Sequence, residues 1–172
     1  PAMEWNEFGV LYATASWRPG AAEPIARGML EYYRAAPNDD FGRTPLLHVL
    51  ALAGMEAELR AELARAPMHP LHDDWFVTTE ASVRALVAGY VGDQVMARQS
   101  VELLGPLSGR MAVSGISIVI GPVDGYAAIA LATLGEREEA ATFAERAETL
   151  AARWGMTAYL RSLAGWRERF GF

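Results

Sequence analysis

Two histidines and two aspartates fall within six residues of one another and could together bind a metal ion. They occur in His69-Pro-Leu-His72-Asp-Asp74, and imidazole nitrogens with carboxylate oxygens form a ligand set that zinc and related divalent metals accept. The proline between the histidines, however, interrupts any helical face that they could share. Both aspartates also have an alternative role as start residues for a following helix. We therefore predict no metal site and no cofactor.

No serine, histidine or acidic pair stands in a setting that indicates catalysis. Ser114, in Val113-Ser-Gly-Ile-Ser117, lacks the strand–turn–helix context of a hydrolase nucleophile. His48 lies among leucines and a valine and is interpreted as a half-buried structural residue. Glu136 and its neighbours Glu138 and Glu139 follow a turn glycine, where carboxylates favour a helix N-terminus. The sequence therefore predicts that the protein is not an enzyme.

Composition and charge exclude further classes of function. The chain contains no cysteine, which excludes disulfides, thiolate nucleophiles and cysteine-ligated metals. All 15 basic residues are arginine, a usage typical of GC-rich bacterial genomes, and without lysine no phosphate-binding Walker motif can form. The net charge of −6 argues against nucleic-acid binding. No apolar run, Ile116–Ile120 included, approaches the roughly 18 residues that span a membrane. We expect a cytoplasmic protein that contacts neither nucleic acid nor membrane.

A repeat organises the elements that carry these residues. In four places a helical pattern ends at a glycine, and a new helix rich in alanine and glutamate follows. The glycines are Gly20, Gly54, Gly92 and Gly135, separated by 34, 38 and 43 residues. Glycine suits these positions because the residue after the last helical turn commonly adopts the left-handed conformation. Since each turn is short, the helices that it joins should pack as antiparallel pairs.

The repeat predicts an all-α fold, a TPR-like right-handed stack of about four antiparallel helix pairs closed by a capping helix. The first helices of the pairs are predicted near 5–17, 43–53, 74–91 and 123–134. The second helices are predicted near 21–36, 55–65, 93–104 and 136–154, and the cap near 156–170. Residues 4–172 are expected to form a single domain, and residues 1–3 are interpreted as a cloning remnant.

Two segments carry more specific expectations. In the predicted helix over 136–154, Phe143 and Trp154 belong to one apolar stripe and should fill the gaps between neighbouring helices. The run Ile116–Ile120 is rich in β-branched residues, but no second β-rich run is apparent to pair with it. We therefore expect a buried irregular connection there, or the start of the next helix.

Five short segments carry a resemblance to a known family. They are Asp73-Asp-Trp-Phe-Val-Thr-Thr79, Val101-Glu-Leu-Leu-Gly-Pro-Leu107, Gly121-Pro-Val-Asp-Gly-Tyr126, Ala132-Thr-Leu-Gly-Glu136 and Glu148-Thr-Leu-Ala-Ala-Arg-Trp-Gly-Met156. Over the residues from Trp75 onward the chain resembles the TPR-like region of large ATP-driven bacterial regulators, such as LuxR-family activators, antibiotic-regulatory activators and adenylate/guanylate cyclase-linked proteins. The resemblance implies a sensor or docking arm without catalytic residues. It also implies that any ATPase or DNA-binding activity belongs to other parts of a parent chain.

Binding residues are expected on the first helices, which usually line the concave surface of such stacks. The predicted outward-facing residues are Trp75, Thr78, Thr79, Ser82, Arg84, Asp124 and Tyr126. For Trp75 and Tyr126, a place in the core is the alternative. The first hypothesis is a regulatory module that docks a peptide, another domain or a second copy of the chain. The alternative is a small-molecule sensor with a pocket near 75–84 and 114–126. An enclosed apolar cavity on the order of several hundred Å³ would favour the sensor, and an open groove the docking module. An enzyme on a helical scaffold would need a cluster of perturbed ionisable groups.

Overall fold

A computed structural model describes residues 5–18, 20–35, 43–68, 71, 76–114 and 118–172. The chain divides into two compact units, Pro1–His69 and Pro70–Phe172. The described residues are mostly helical, in agreement with the predicted fold class. That residues 4–172 form one domain stays a prediction.

The first unit contains four helices among its described residues: α1 (Trp5–Trp17), α2 (Ala22–Ala35), α3 (Arg43–Leu52) and α4 (Glu56–Arg65). Helix α3 packs against α1, α2 and α4. Its side chains from Leu46 to Ala51 are all buried, as expected for a helix that is covered on every side. Helix α2 instead buries one stripe, formed by Ala22, Ala26, Met29, Leu30 and Tyr33.

A buried arginine joins the start of α3 to the end of α4. The guanidinium of Arg43 donates from Nη2 to the carbonyl of Glu62 at 2.8 Å and also to the carbonyl of Ala66. Its Nη1 lies 4.0 Å from the Glu62 carboxylate, which also pairs with Arg65 at 2.9 Å. Since the last carbonyls of a helix have no partner within it, this arginine satisfies backbone acceptors as well as a charge.

The second unit contains α5 (Val77–Val91), α6 (Gln94–Leu104), a single 3-10 turn (Gly105–Leu107), β1 (Met111–Ser114), β2 (Ile118–Pro122), α7 (Val123–Thr133), α8 (Arg137–Arg153) and α9 (Thr157–Phe170). Helix α7 is central and packs against α5, α6, α8 and α9. Every residue from Val123 to Leu131 is buried. The other elements of this unit are therefore arranged around α7.

The turn glycines have the conformation that the repeat predicts. Gly20, Gly54, Gly92 and Gly135 have φ values of 80°, 66°, 74° and 85°. After Gly92, the Oδ1 atom of Asp93 accepts a hydrogen bond from the Met96 N–H at 2.9 Å and caps the start of α6. The predicted helices begin and end within three residues of the observed ones. The glycine spacing is therefore a reliable guide to the helix boundaries of this chain.

The expectation for the run Ile116–Ile120 is wrong where the structure describes it. Residues from Ile118 onward form β2, which pairs antiparallel with β1 in the register Met111↔Pro122 and Ser114↔Ile118. The partner strand is short and contains a single β-branched residue, so its composition does not reveal it. Burial of Ala112 and Ile120 between the surrounding helices stabilises the hairpin. Strand pairing here depends on tertiary packing more than on local propensity.

Trp154 also departs from expectation, because its side chain is 71% exposed. Helix α8 ends at Arg153, so Trp154 lies beyond the last turn and leaves the apolar stripe. Phe143, in the middle of the helix, is buried as predicted.

Candidate functional site

The structure buries most of the residues that were predicted to face outward. Thr79, Ser82 and Arg84 on α5, and Asp124 and Tyr126 on α7, are all buried. The prediction that they face outward is therefore wrong, and for Tyr126 the alternative, a place in the core, is confirmed. The physical reason is that α6, α7 and β1 pack on α5, while α7 is enclosed by four helices. Thr78 is half-buried. Trp75 lies outside the described residues. That these residues bind a partner stays a prediction.

Asp124 anchors the loop that precedes the hairpin. The Ser108 hydroxyl donates to its Oδ1 at 2.6 Å, and the Gly109 N–H donates to its Oδ2 at 2.7 Å. The Arg146 guanidinium lies 3.4 Å from the Ser108 hydroxyl oxygen. Both carboxylate oxygens of this fully buried aspartate are thereby used within the fold, which is how a buried charge is normally accommodated.

Tyr126 belongs to a buried aromatic cluster. Its hydroxyl donates to the Ile120 carbonyl at 2.9 Å, and the hydroxyl of Tyr159 donates to the Pro122 carbonyl at 3.2 Å. The ring of Trp166 lies 5.4 Å from that of Tyr126 and 5.7 Å from that of Tyr159. Burial, and to a smaller extent the charge of Asp124, raises the pKa of Tyr159, so its phenol acts as a neutral donor.

Thr78 connects α5 to the hairpin, and Ser82 bonds within α5. The Thr78 hydroxyl lies 3.4 Å from the carbonyl of Val113 and 3.3 Å from its N–H. The Ser82 hydroxyl donates to the Thr78 carbonyl at 2.7 Å. These residues lie in the region proposed for a small-molecule pocket, near 75–84 and 114–126. There the hydroxyls of Thr78, Ser82 and Tyr126 and the carboxylate of Asp124 all form hydrogen bonds within the protein.

The other residues considered for chemistry do not form a site among the described residues. His48 is buried, and its Nδ1 lies 2.8 Å from the hydroxyl of Tyr12. Burial lowers the pKa of His48 to about 3, so its imidazole is neutral. No group of three potential metal ligands occurs within the described part of the chain. The four residues of His69–Asp74 that were considered as metal ligands lie outside the described residues.

A groove in the second unit brings together one predicted residue and four that sequence reasoning missed. We call it the α6 groove; Leu71, Arg84, Gln99, Glu102 and Leu103 line it, and it has a volume of about 270 Å³ and is open to solvent. Gln99, Glu102 and Leu103 are spaced three and four residues apart and so share one face of α6. Only Arg84 was predicted, because the repeat places binding residues on first helices, whereas the groove is built largely from a second helix.

Arg84 forms the most buried part of the α6 groove, with 8% of its surface exposed. Burial lowers the pKa of its guanidinium, and the nearby carboxylates of Glu80 and Asp93 oppose that effect. Gln99 and Glu102 are exposed, and within the described part of the chain neither makes a hydrogen bond or an ion pair. Leu103 is 37% exposed. The groove therefore combines an apolar surface, an accessible amide and an accessible carboxylate.

No protein-family model, curated protein or solved structure matches the chain. The resemblance to the TPR-like region of bacterial regulators therefore stays a prediction. Among the described helices, none has the length and apolar character that crossing a membrane requires.

Proposed function

We propose that this protein is a non-catalytic interaction module that binds a segment of a protein partner in the α6 groove. The observation that carries the proposal is the open form of this groove among the described residues: its walls include an exposed leucine, and Gln99 and Glu102, which make no hydrogen bond or ion pair within that part of the chain. An open groove suits a peptide segment, whereas small-molecule sites enclose most of the ligand surface. The volume of about 270 Å³ lies just below the usual range of small-molecule pockets.

The helix packing supports a TPR-like stack as the scaffold of this module. In the first unit α1 packs against both α2 and α3, and in the second unit α5 packs against both α6 and α7. Helix α7 in turn packs against both α8 and α9. Contact between first helices of successive pairs, together with contact within each pair, is the arrangement expected of a helical-repeat stack.

The chemistry of the groove suits recognition of a peptide. Leu71 and Leu103 offer apolar surface to an aliphatic side chain, and the Gln99 amide can both donate to and accept from a peptide backbone. Arg84 is held by packing and by nearby carboxylates, so little side-chain freedom would be lost on binding. A buried floor with a polar, solvent-accessible rim is typical of protein interfaces.

The proposal also includes the setting of the module. It works in the cytoplasm as a sensor or docking arm of a bacterial transcriptional or signalling regulator, with another domain of that regulator or a separate protein as its partner. This part rests on the resemblance of the residues from Trp75 onward. Thr78, Asp124 and Tyr126 bond to the hairpin or to the loop that precedes it, so we place the binding surface on α6 rather than on a concave face.

Selection from a random linear-peptide phage library against the immobilised full chain tests the proposal. We expect a shared motif, and a synthetic peptide that carries it should bind Leu103→Glu at least about tenfold more weakly than the original chain. Trp154→Glu is the matched control, because Trp154 is 71% exposed but does not line the groove. Failure to select any motif, or equal binding to both variants, would contradict the proposal.

A further inference from the structure

We propose that the partner segment is basic and aliphatic, with an arginine or lysine that pairs with Glu102 beside an aliphatic side chain that packs on Leu71 and Leu103. This inference rests on the proposed function and specifies the chemistry of the partner. It follows from which charges in the groove are already balanced and which are accessible.

The positive charge of the groove is balanced within the fold. Among the described residues that line it, Arg84 is the basic one, and the carboxylates of Glu80 and Asp93 act on its guanidinium. Because only 8% of its surface is exposed, Arg84 offers little access to an incoming carboxylate. An acidic peptide would also have to approach two carboxylates that surround this arginine.

The negative charge of Glu102 is accessible. Its side chain is exposed, and within the described part of the chain it forms no ion pair or hydrogen bond. Arg98 lies one turn earlier on α6 and is exposed, but it does not line the groove, and no ion pair joins it to Glu102. A basic side chain that reached the groove would therefore find an available partner.

The charge of the whole chain acts in the same direction. The net charge of −6 attracts basic segments and repels acidic ones at long range. Complementary charge of this kind raises association rates and disfavours unsuitable partners. Local and overall electrostatics thus favour the same class of peptide.

The apolar part of the surface is long enough for several residues. Val95, Gln99 and Leu103 recur every fourth residue on α6 and share one face, and Val95 is 71% exposed. The eight helical rises from Val95 to Leu103 cover about 12 Å along the axis, roughly the length of three to four extended residues. A short segment that lies along α6 can therefore contact the groove with one aliphatic residue and Val95 with another.

Parallel selections from the same random-peptide phage library test the charge preference. The targets are the original chain, Glu102→Arg and Glu145→Arg. Glu145 is an exposed residue of α8 outside the groove, so its substitution changes the net charge equally. We expect arginine or lysine next to leucine, isoleucine or valine with the original chain and with Glu145→Arg, and loss of the basic residue with Glu102→Arg.

Two further readouts make the outcome decisive. A synthetic peptide from the original selection should bind Glu102→Arg at least about tenfold more weakly and Glu145→Arg within about twofold, and its affinity should fall as salt is raised. Neutral or acidic motifs, or the same basic motif with Glu102→Arg, would overturn this inference. These results would leave the proposed function standing, provided that Leu103→Glu still weakened peptide binding as that function predicts. If no target yields a motif, both proposals fail.

Discussion

The hydroxyl of Ser108 and the carboxylate of Asp124 lie 2.6 Å apart and join the loop before β1 to the first turn of α7. The Gly109 N–H occupies the second carboxylate oxygen at 2.7 Å. Because the aspartate is fully buried, a carboxylate oxygen left without a donor there would be costly. This contact fixes where the hairpin starts relative to the central helix.

Replacing Asp124 with asparagine should destabilise the fold. The amide that replaces one carboxylate oxygen can donate to the Ser108 hydroxyl while its carbonyl accepts from the Gly109 N–H, but the negative charge that strengthens both bonds is lost. We expect a loss of about 1–3 kcal/mol in the free energy of unfolding, measured by urea titration of the full chain. Ser108→Ala removes one bond and leaves one acceptor oxygen without its donor, and should cost less. Unchanged stability of Asp124→Asn would show that the carboxylate is not required.

Gly92→Val should lower the melting temperature, because Gly92 has a φ of 74° that a β-branched residue adopts only under strain. The expected cost is at least about 1–2 kcal/mol. Gly105→Ala is the matched control: its φ of −53° suits any residue, and nothing lies within 4 Å of an added Cβ. Equal melting temperatures for the two variants would count against Gly92 as the turn of the repeat.

Gly125→Ala should be destabilising for a different reason, which is steric. A Cβ at this position would overlap the hydroxyl of Tyr159, which donates to the Pro122 carbonyl. We expect a cost of about 1–3 kcal/mol, as for other overpacked cores. Tyr159→Phe removes the overlapping atom, so adding it to Gly125→Ala should recover part of the loss. Strict additivity in a double-mutant cycle of unfolding free energies would refute this close contact.

Acid should weaken the first unit through His48. The buried imidazole has a pKa of about 3, against 6.5 for an unperturbed histidine. Between pH 3 and 6.5 the unfolded chain binds a proton at His48 that the folded chain does not. The contribution of the neutral imidazole to the free energy of unfolding is therefore complete above pH 6.5 and is lost as pH falls towards 3.

Because of His48, the free energy of unfolding should fall with decreasing pH by a slope that approaches about 1.4 kcal/mol per pH unit well below pH 6.5. His48→Gln can still accept a hydrogen bond from Tyr12 but cannot titrate, so its unfolding free energy should depend less steeply on pH. Identical slopes for the two proteins between pH 6 and 4 would contradict the burial of a neutral imidazole.

The sequence predicts the helices well because their boundaries are set locally. Gly54 and Gly135, for example, end helices through a backbone conformation that needs no tertiary contact. The hairpin is not predictable in this way, since β1 is short and its pairing depends on burial of Ala112 against surrounding helices.

At the candidate site, too, the sequence predicts what depends on local structure but not what depends on tertiary packing. The exposure of Ser82 or Tyr126 depends on what packs over α5 and α7, and their residue types do not reveal it. The α6 groove was missed because its residues are ordinary for an amphipathic helix surface. The spacing of Gln99, Glu102 and Leu103 places them on one face, but only the position of Arg84 on the neighbouring helix turns that face into a groove.

Hydrogen exchange of the full chain with and without a peptide selected by phage display locates the binding surface. We expect bound peptide to slow amide exchange in α6, over Gln99–Leu103, and in the part of α5 around Arg84, and we expect this protection to disappear in Leu103→Glu. Protection confined to other surfaces, such as the end of α8 at Trp154, would contradict the claim that the α6 groove is the binding site.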